Sequence, residues 1–200
     1  QVTRIGVLAL QGDFREHIQV LLALGVDAQE VRLPSDLDQV DGLIIPGGES
    51  TTIGRLMGLF NLSDSIKAMA AGGRPLWGTC AGMIVIARHI IGVNQGHNQS
   101  PLNLIDIDVR RNAFGRQVDS FETDLSVDGL GKKPFPAVFI RAPWIERVGE
   151  GVKVIAKLPD GTPVAARQGK VLVTSFHPEL TQDNRFHAYF VNLTKTKRLV

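Results

Sequence analysis

The 200 residues contain one cysteine, one tyrosine and two tryptophans. A lone thiol rules out an internal disulfide framework, so a reducing, cytoplasmic setting is expected. An excess of either charge is missing too: 22 Lys and Arg face 20 Asp and Glu, a net charge of +2. That balance gives no electrostatic footprint for a nucleic-acid partner. The longest apolar run, VLLALGV (20–26), is far too short to span a bilayer. The opening residues, QVTRIGVLAL, lack the apolar core and cleavage site of a signal peptide and read as a first strand. The one basic run, KTKR (195–198), reads as a solvated helix end that suits the helix dipole. With 44% hydrophobic and 21% charged residues, the expectation is a globular cytoplasmic protein with one domain over residues 1–200, bound to neither nucleic acid nor membrane.

Short apolar runs alternate with amphipathic stretches through the first half. RIGVLAL (4–10), AQEVRL (28–33), DGLIIPGG (41–48) and RPLWG (74–78) read as strands. Residues 13–24 put Phe14, Ile18, Leu21 and Leu22 on one helical face, and 51–71 and 81–90 also read as helices. Such alternation predicts an α/β fold: a doubly wound, mostly parallel sheet flanked by helices. From about residue 104 the runs NLIDIDV, AVFIRAP, VKVIAKL, PVAARQG and KVLVTSF are strand-like, and PDGT supplies a hairpin turn. These add an antiparallel extension. A final helix over 183–197 carries Phe186, Tyr189, Phe190 and Leu193 at core spacing.

The single thiol sits in WGTCAG (77–82), where Gly78-Thr79-Cys80-Ala81-Gly82 has the form of a nucleophile elbow between a strand and a helix. Side chains two residues either side of so sharp a turn would collide, hence the glycines. The Ala81 amide points into the space above Cys80, and a helix start there favours thiolate over thiol. A thiolate used for acyl transfer needs a base, and the base an orienter. His17, His89 and His187 fall in predicted helices with no acid at a useful offset, and His97 lies in a polar loop. His177 ends a strand two residues before Glu179, so both would project to one side of an extended chain. A zinc site from Cys80, His177 and Glu179 is disfavoured, because structural zinc wants more Cys or His ligands. PGGES (46–50) offers the unhindered amides of Gly47 and Gly48 to an oxyanion, and it lacks the Gly-Lys-Ser/Thr of a phosphate loop.

This constellation resembles the class I, triad-type glutamine amidotransferases. Within that family, GVLALQGDFREHI (6–18), PGGESTTI (46–53), GTCAGMI (78–84), RNAFGRQVDSFE (111–122), VFIRAP (138–143), VAARQG (164–169) and SFHPELT (175–181) look like signature segments of the glutaminases that serve pyridoxal 5′-phosphate synthesis. The resemblance implies hydrolysis of L-glutamine through a cysteine thioester, with ammonia passed to a synthase subunit that makes pyridoxal 5′-phosphate. It implies Cys80 as nucleophile, His177 as base and acid, Glu179 as orienter, and an oxyanion hole from Gly47, Gly48 and Ala81. Glutamine would be held by Gly48, Glu49 and Ser50, by Arg111, and by Ile140 and Arg141. Gln11 would respond to the partner, and neither metal nor cofactor is implied. SPLNLID (100–106) departs from the family's glycine-containing run. The competing expectations are a glutaminase of another pathway, a cysteine peptidase-like protein of similar fold, and a non-catalytic module.

Overall fold

The computed structural model describes residues 2–92, 100–111 and 120–195. His97, most of RNAFGRQVDSFE and the basic run past Lys195 lie outside the described residues. In chain order the first half forms β1 (Arg4–Leu8), α1 (Phe14–Ala23), β2 (Asp27–Val31), α2 (Pro34–Leu37), β3 (Gly42–Ile45), α3 (Ser50–Leu59), α4 (Leu62–Ala71), β4 (Leu76–Thr79) and α5 (Ala81–Ile86). There follow β5 (Ala87–Ile91), β6 (Ile105–Arg110), β7 (Ser120–Leu125), β8 (Phe135–Ile140) and β9 (Trp144–Val148). The chain then adds β10 (Lys153–Lys157), β11 (Pro163–Gln168), β12 (Val171–Thr174), a 3₁₀ turn (Pro178–Leu180) and α6 (Arg185–Lys195).

Seven strands make the main sheet in the order β10-β11-β12-β4-β3-β1-β2, with β11 alone antiparallel to its neighbours. Two smaller sheets complete the C-terminal part: β5-β6-β9, in which β5 runs parallel and β9 antiparallel to β6, and the antiparallel β7-β8 hairpin. The central strands read as unbroken apolar runs because both faces are covered. In β3, Leu43 and Ile45 join the core beneath α3 and α4, whereas Ile44 joins Trp77, Phe186 and Phe190 beneath α1 and α6. The fold is thus the mostly parallel, helix-flanked α/β architecture with an antiparallel C-terminal part.

Four local expectations change. Residues 51–71 form two helices, broken where Asn61 adopts φ +57°, a left-handed conformation that asparagine tolerates well. The helix after Cys80 stops at Ile86, and Ala87–Ile91 pairs in parallel with β6. Its Ile84-Val85-Ile86 run is β-branched and a poor helix former. In α1, Leu22 is 57% exposed and His17 takes a buried place on the inner face. Strands β7 and β9 add to those expected from the sequence.

The topology positions the site through parallel neighbours whose C-terminal ends coincide. Thr79 at the end of β4 pairs with Thr174 of β12, so Cys80 and His177 emerge side by side. On the other flank Ile45 of β3 pairs with Gly78, which brings the Pro46-Gly47-Gly48 exit against the same cysteine. Beyond it, β1 delivers Gln11 and Asp13. Ligands of open α/β sheets bind in this crevice outside the carboxyl ends of the strands.

Candidate active site

Cys80 sits at φ +51° and ψ −108°, a strained conformation for any residue with a side chain. The turn persists because its surroundings hold it. The Cys80 amide donates to the Thr174 carbonyl at 2.8 Å, and the Cys80 carbonyl accepts from the Met83 amide at 3.1 Å. The flanking glycines have steric causes: a Cβ on Gly78 would stand 2.6 Å from the Gly82 carbonyl oxygen, and one on Gly82 2.0 Å from that of Ile45. Gly47 and Gly48 lie close to the side chains of the site. Their added Cβ atoms would lie 2.6 Å from His177 Cε1 and 2.3 Å from Gln11 Oε1.

His177 is buried and stands beside Cys80, with both side chains lining the same cavity. Its Nδ1 meets Glu179 Oε1 at 2.5 Å and Asp13 Oδ2 at 3.4 Å. The His177 amide donates to the Val138 carbonyl at 2.8 Å, which anchors the segment to β8. Burial opposes charge on this imidazole, yet the proximity of Cys80 and the carboxylate of Glu179 win and push its pKa up to about 11. Glu179 is held above the usual carboxylate range by burial, against the pull of His177. Glu179 reaches His177 through the 3₁₀ turn rather than along an extended strand, which corrects the sequence expectation while keeping the pair.

A cavity of about 560 Å³ opens above these groups. Cys80, His177, Ala81, Gln11, Gly48 and Glu49 line it, together with Ser50, Arg111, Ile140 and Arg141. Of the sequence candidates, Gly47 and Glu179 stand just behind the wall. The Gly47 carbonyl accepts from the Asp13 amide at 2.9 Å, and Gln11 Oε1 accepts from the Glu49 amide at 2.8 Å. The Glu49 carboxylate caps α3, taking Thr52 N at 2.6 Å and Thr51 N at 3.2 Å, and it meets Arg111 Nη2 at 3.4 Å. Burial works against that carboxylate, but the bonds from Thr52 and Thr51 bring it below its ordinary range. Arg141 holds φ +44° at the rim, and the Ile140 carbonyl lies 3.9 Å from Cys80 Sγ.

Sequence reasoning missed Asp13, His17 and His187. Asp13 and His17 are four residues apart across the start of α1, on one face, and QGDFREH contained both. Asp13 lines the cavity, and burial raises its carboxyl despite His177 nearby. Ligand atoms of Asp13, His177 and Glu179 lie within 4.8 Å of one another, close enough to hold a cation. The 2.5 Å bond from His177 Nδ1 to Glu179 engages that nitrogen with a carboxylate instead.

A cysteine on a strained elbow, an imidazole beside it, a carboxylate behind and glycine amides opposite define an acyl-transfer site of the thiol amidohydrolase class. Residues 7–196 match the SNO glutamine amidotransferase family, and the chain belongs to it. It is 58% identical over 193 residues to the pyridoxal 5′-phosphate synthase subunit PdxT of Dehalococcoides mccartyi, covering 96% of this chain and 98% of that one. It is 60% identical over 189 residues to the PdxT of Herpetosiphon aurantiacus, covering 94% and 99%. A glutamine amidotransferase crystal structure superposes with a TM-score of 0.89 at 51% identity, over 96% of this chain and 99% of that one. PurLQS from Thermotoga maritima, at 16% identity and a TM-score of 0.68 over 96% and 99% of the two chains, shares the fold. The chain is a glutaminase.

Proposed function

We propose that one domain spanning residues 1–200 hydrolyses L-glutamine with Cys80, His177 and Glu179 as its triad, and hands ammonia to a pyridoxal 5′-phosphate synthase subunit. The observation that carries this reading is the buried His177–Glu179 hydrogen bond placed beside Cys80 at the floor of the cavity. His177 keeps its proton up to about 11, which suits a resting imidazolium beside the sulfur. The Cys80 sulfur attacks the side-chain carbonyl carbon of glutamine, and a C–S bond forms as the carbonyl electrons move to oxygen. The oxyanion is received by amides of Ala81 and of the Gly47–Gly48 segment. Collapse breaks the C–N bond, His177 protonates the nitrogen, and NH₃ departs from a thioester. Water then gives a proton to His177 and attacks the same carbon. The C–S bond breaks, and glutamate leaves.

Arg111, with Arg141 at the rim, supplies positive charge for the α-carboxylate of glutamine, and Gly48 and Ser50 offer further wall. Glu49 serves this wall by capping α3 and steadying Arg111. The partner assignment rests on the PdxT relatives, which carry pyridoxal 5′-phosphate synthase in their names. Gln11 is the group through which docking would reach the oxyanion loop, because its side chain fixes the Glu49 amide beside Gly48.

The complex with the synthase subunit tests this reading. Cys80→Ala should bind its partner, make no pyridoxal 5′-phosphate from glutamine, and make it normally from an ammonium salt. Failure with ammonium would mean that the chain does more than deliver nitrogen. Normal synthesis from glutamine would remove Cys80 as nucleophile.

A further inference from the structure

Behind Glu179, away from the cavity, lie two histidines that this chemistry does not use. His17 of α1 and His187 of α6 have no exposed surface. His17 Nδ1 lies 2.8 Å from His187 Nε2. His17 Nε2 faces Glu179 Oε2 at 3.4 Å and Thr79 Oγ1 at 3.4 Å. Two atoms of this set are buried without a hydrogen bond, Glu179 Oε2 and His187 Nδ1.

Those atoms decide the tautomers. Each neutral imidazole carries one N–H, and the 2.8 Å contact needs a donor on one side and an acceptor on the other. If His17 Nδ1 donated, its Nε2 lone pair would face the lone pairs of Glu179 Oε2, and a buried N–H on His187 would have no acceptor. If His187 Nε2 donates, His17 carries its proton on Nε2, between the Thr79 hydroxyl and Glu179 Oε2, each at 3.4 Å. The two atoms then left without a hydrogen bond, His187 Nδ1 and Glu179 Oε2, are both acceptors, and no buried N–H is stranded. The second arrangement avoids both faults.

We propose that His17 and His187 are positioning residues of the glutaminase triad. His187 fixes the His17 tautomer, and the His17 N–H faces the second oxygen of Glu179, keeping that carboxylate ionised and aligned on His177. This inference rests on the triad reading above. Glu179 is faced by His177 from its own segment, Asp13 from the loop before α1 and His17 from α1, whose ring also meets Thr79 of β4, with His187 of α6 behind and Glu16 acting on Asp13. Burial, with His187 and His177 nearby, holds His17 well below its usual range, and burial brings His187 down to about 3. Both are therefore neutral during catalysis, and His17 acts on Glu179 as a dipole, without competing with the His177 cation.

Removing the donor should leave Glu179 easier to protonate. In the complex, His17→Leu should lower kcat about tenfold and move the acid limb of kcat/KM up by about one pH unit, with KM for glutamine unchanged. His17→Gln, which restores an N–H at that reach, should recover most of both. A folded His17→Leu variant with wild-type kcat and acid limb would overturn the proposal. Should that variant not fold, ¹⁵N-histidine NMR of the wild-type protein decides the matter. Nε2-protonated neutral rings for both residues between about pH 5 and 8 support the proposal, and an Nδ1-protonated His17 overturns it. Labelling by a glutamine-analogue diazoketone separates the two readings. Wild-type protein not labelled at Cys80 sinks the triad and this inference with it, whereas labelling at Cys80 with an unaffected His17→Leu sinks only this inference.

Discussion

Two carboxylates in this molecule each sit between a histidine and a second basic group, and they do different work. Asp108 of β6 meets His89 Nδ1 at 3.2 Å and Arg147 Nε at 2.9 Å, and Arg147 also bonds Asp106. The His89 side chain is 63% exposed and that of Arg147 39%. Glu179 meets His177 and His17 with no side-chain exposure of its own. The Asp108 side chain keeps 16% exposure and its two partners far more, so water reaches these contacts and they add little. Around Glu179 there is no such access. A buried proton must be held in place or kept out, which is why His177 is pushed up and His17 and His187 are pushed down. Residue type does not set the charge state. The presence of a partner at the moment of burial does.

The largest effects should come from cutting the buried network at its cavity end. His177→Asn should lower glutaminase kcat by about a millionfold, and Glu179→Gln should be roughly a hundredfold less severe. The order follows from the roles, because the base moves the proton while the orienter only aims the base. Steady-state release of glutamate, measured with the synthase subunit present, reads both. A Glu179→Gln variant as active as wild type would break the contrast with Asp108.

Much of this network is legible in the sequence, and the missing part is missing for a reason. Cys80, His177 and the two glycines lie in short contiguous motifs whose spacing states a local geometry. His17 does not, because the acid that gives it meaning belongs to a segment far along the chain, and α1, β4 and α6 must all pack before they meet. His89 reads as helical in the sequence, yet it lies in β5 opposite Asp108, since Ile84-Val85-Ile86 ends the helix early. Strand β7, SFETDL, alternates mostly exposed and half-buried positions and looks much like loop until β8 pairs with it.

The inner end of the network should show itself in acid. His187 titrates at about 3 in the folded chain against about 6.5 unfolded. Between those values the unfolded chain binds a proton that the folded chain refuses, so stability falls as pH falls. The slope is at most about 1.4 kcal/mol per pH unit for this group, and His17 adds to it with the same sign. His187→Gln should therefore flatten the decline in urea-unfolding free energy between about pH 6.5 and 3, whatever it costs at neutral pH. A decline as steep as that of wild type would mean that His187 is not the group kept neutral by burial.

The smallest effect belongs to the exposed network, and its size sharpens the comparison. Arg147→Ala removes the bonds to Asp106 and Asp108 together, more contacts than any single change at Glu179 removes. Arg88 and His89 still face the two carboxylates, and water solvates the rest. The carboxylates are left hydrated rather than stranded, so no desolvation cost follows. Glutaminase activity should be unchanged, because β6 and β9 contribute neither the triad nor the oxyanion amides. The shift in thermal midpoint should be small at low ionic strength and vanish at about 1 M salt, where the Debye length shrinks to about 3 Å. A large loss that survives high salt would mean that Arg147 acts through the packing of its aliphatic stem across β6, and the network around Asp108 would then be stabilising for a reason unrelated to charge.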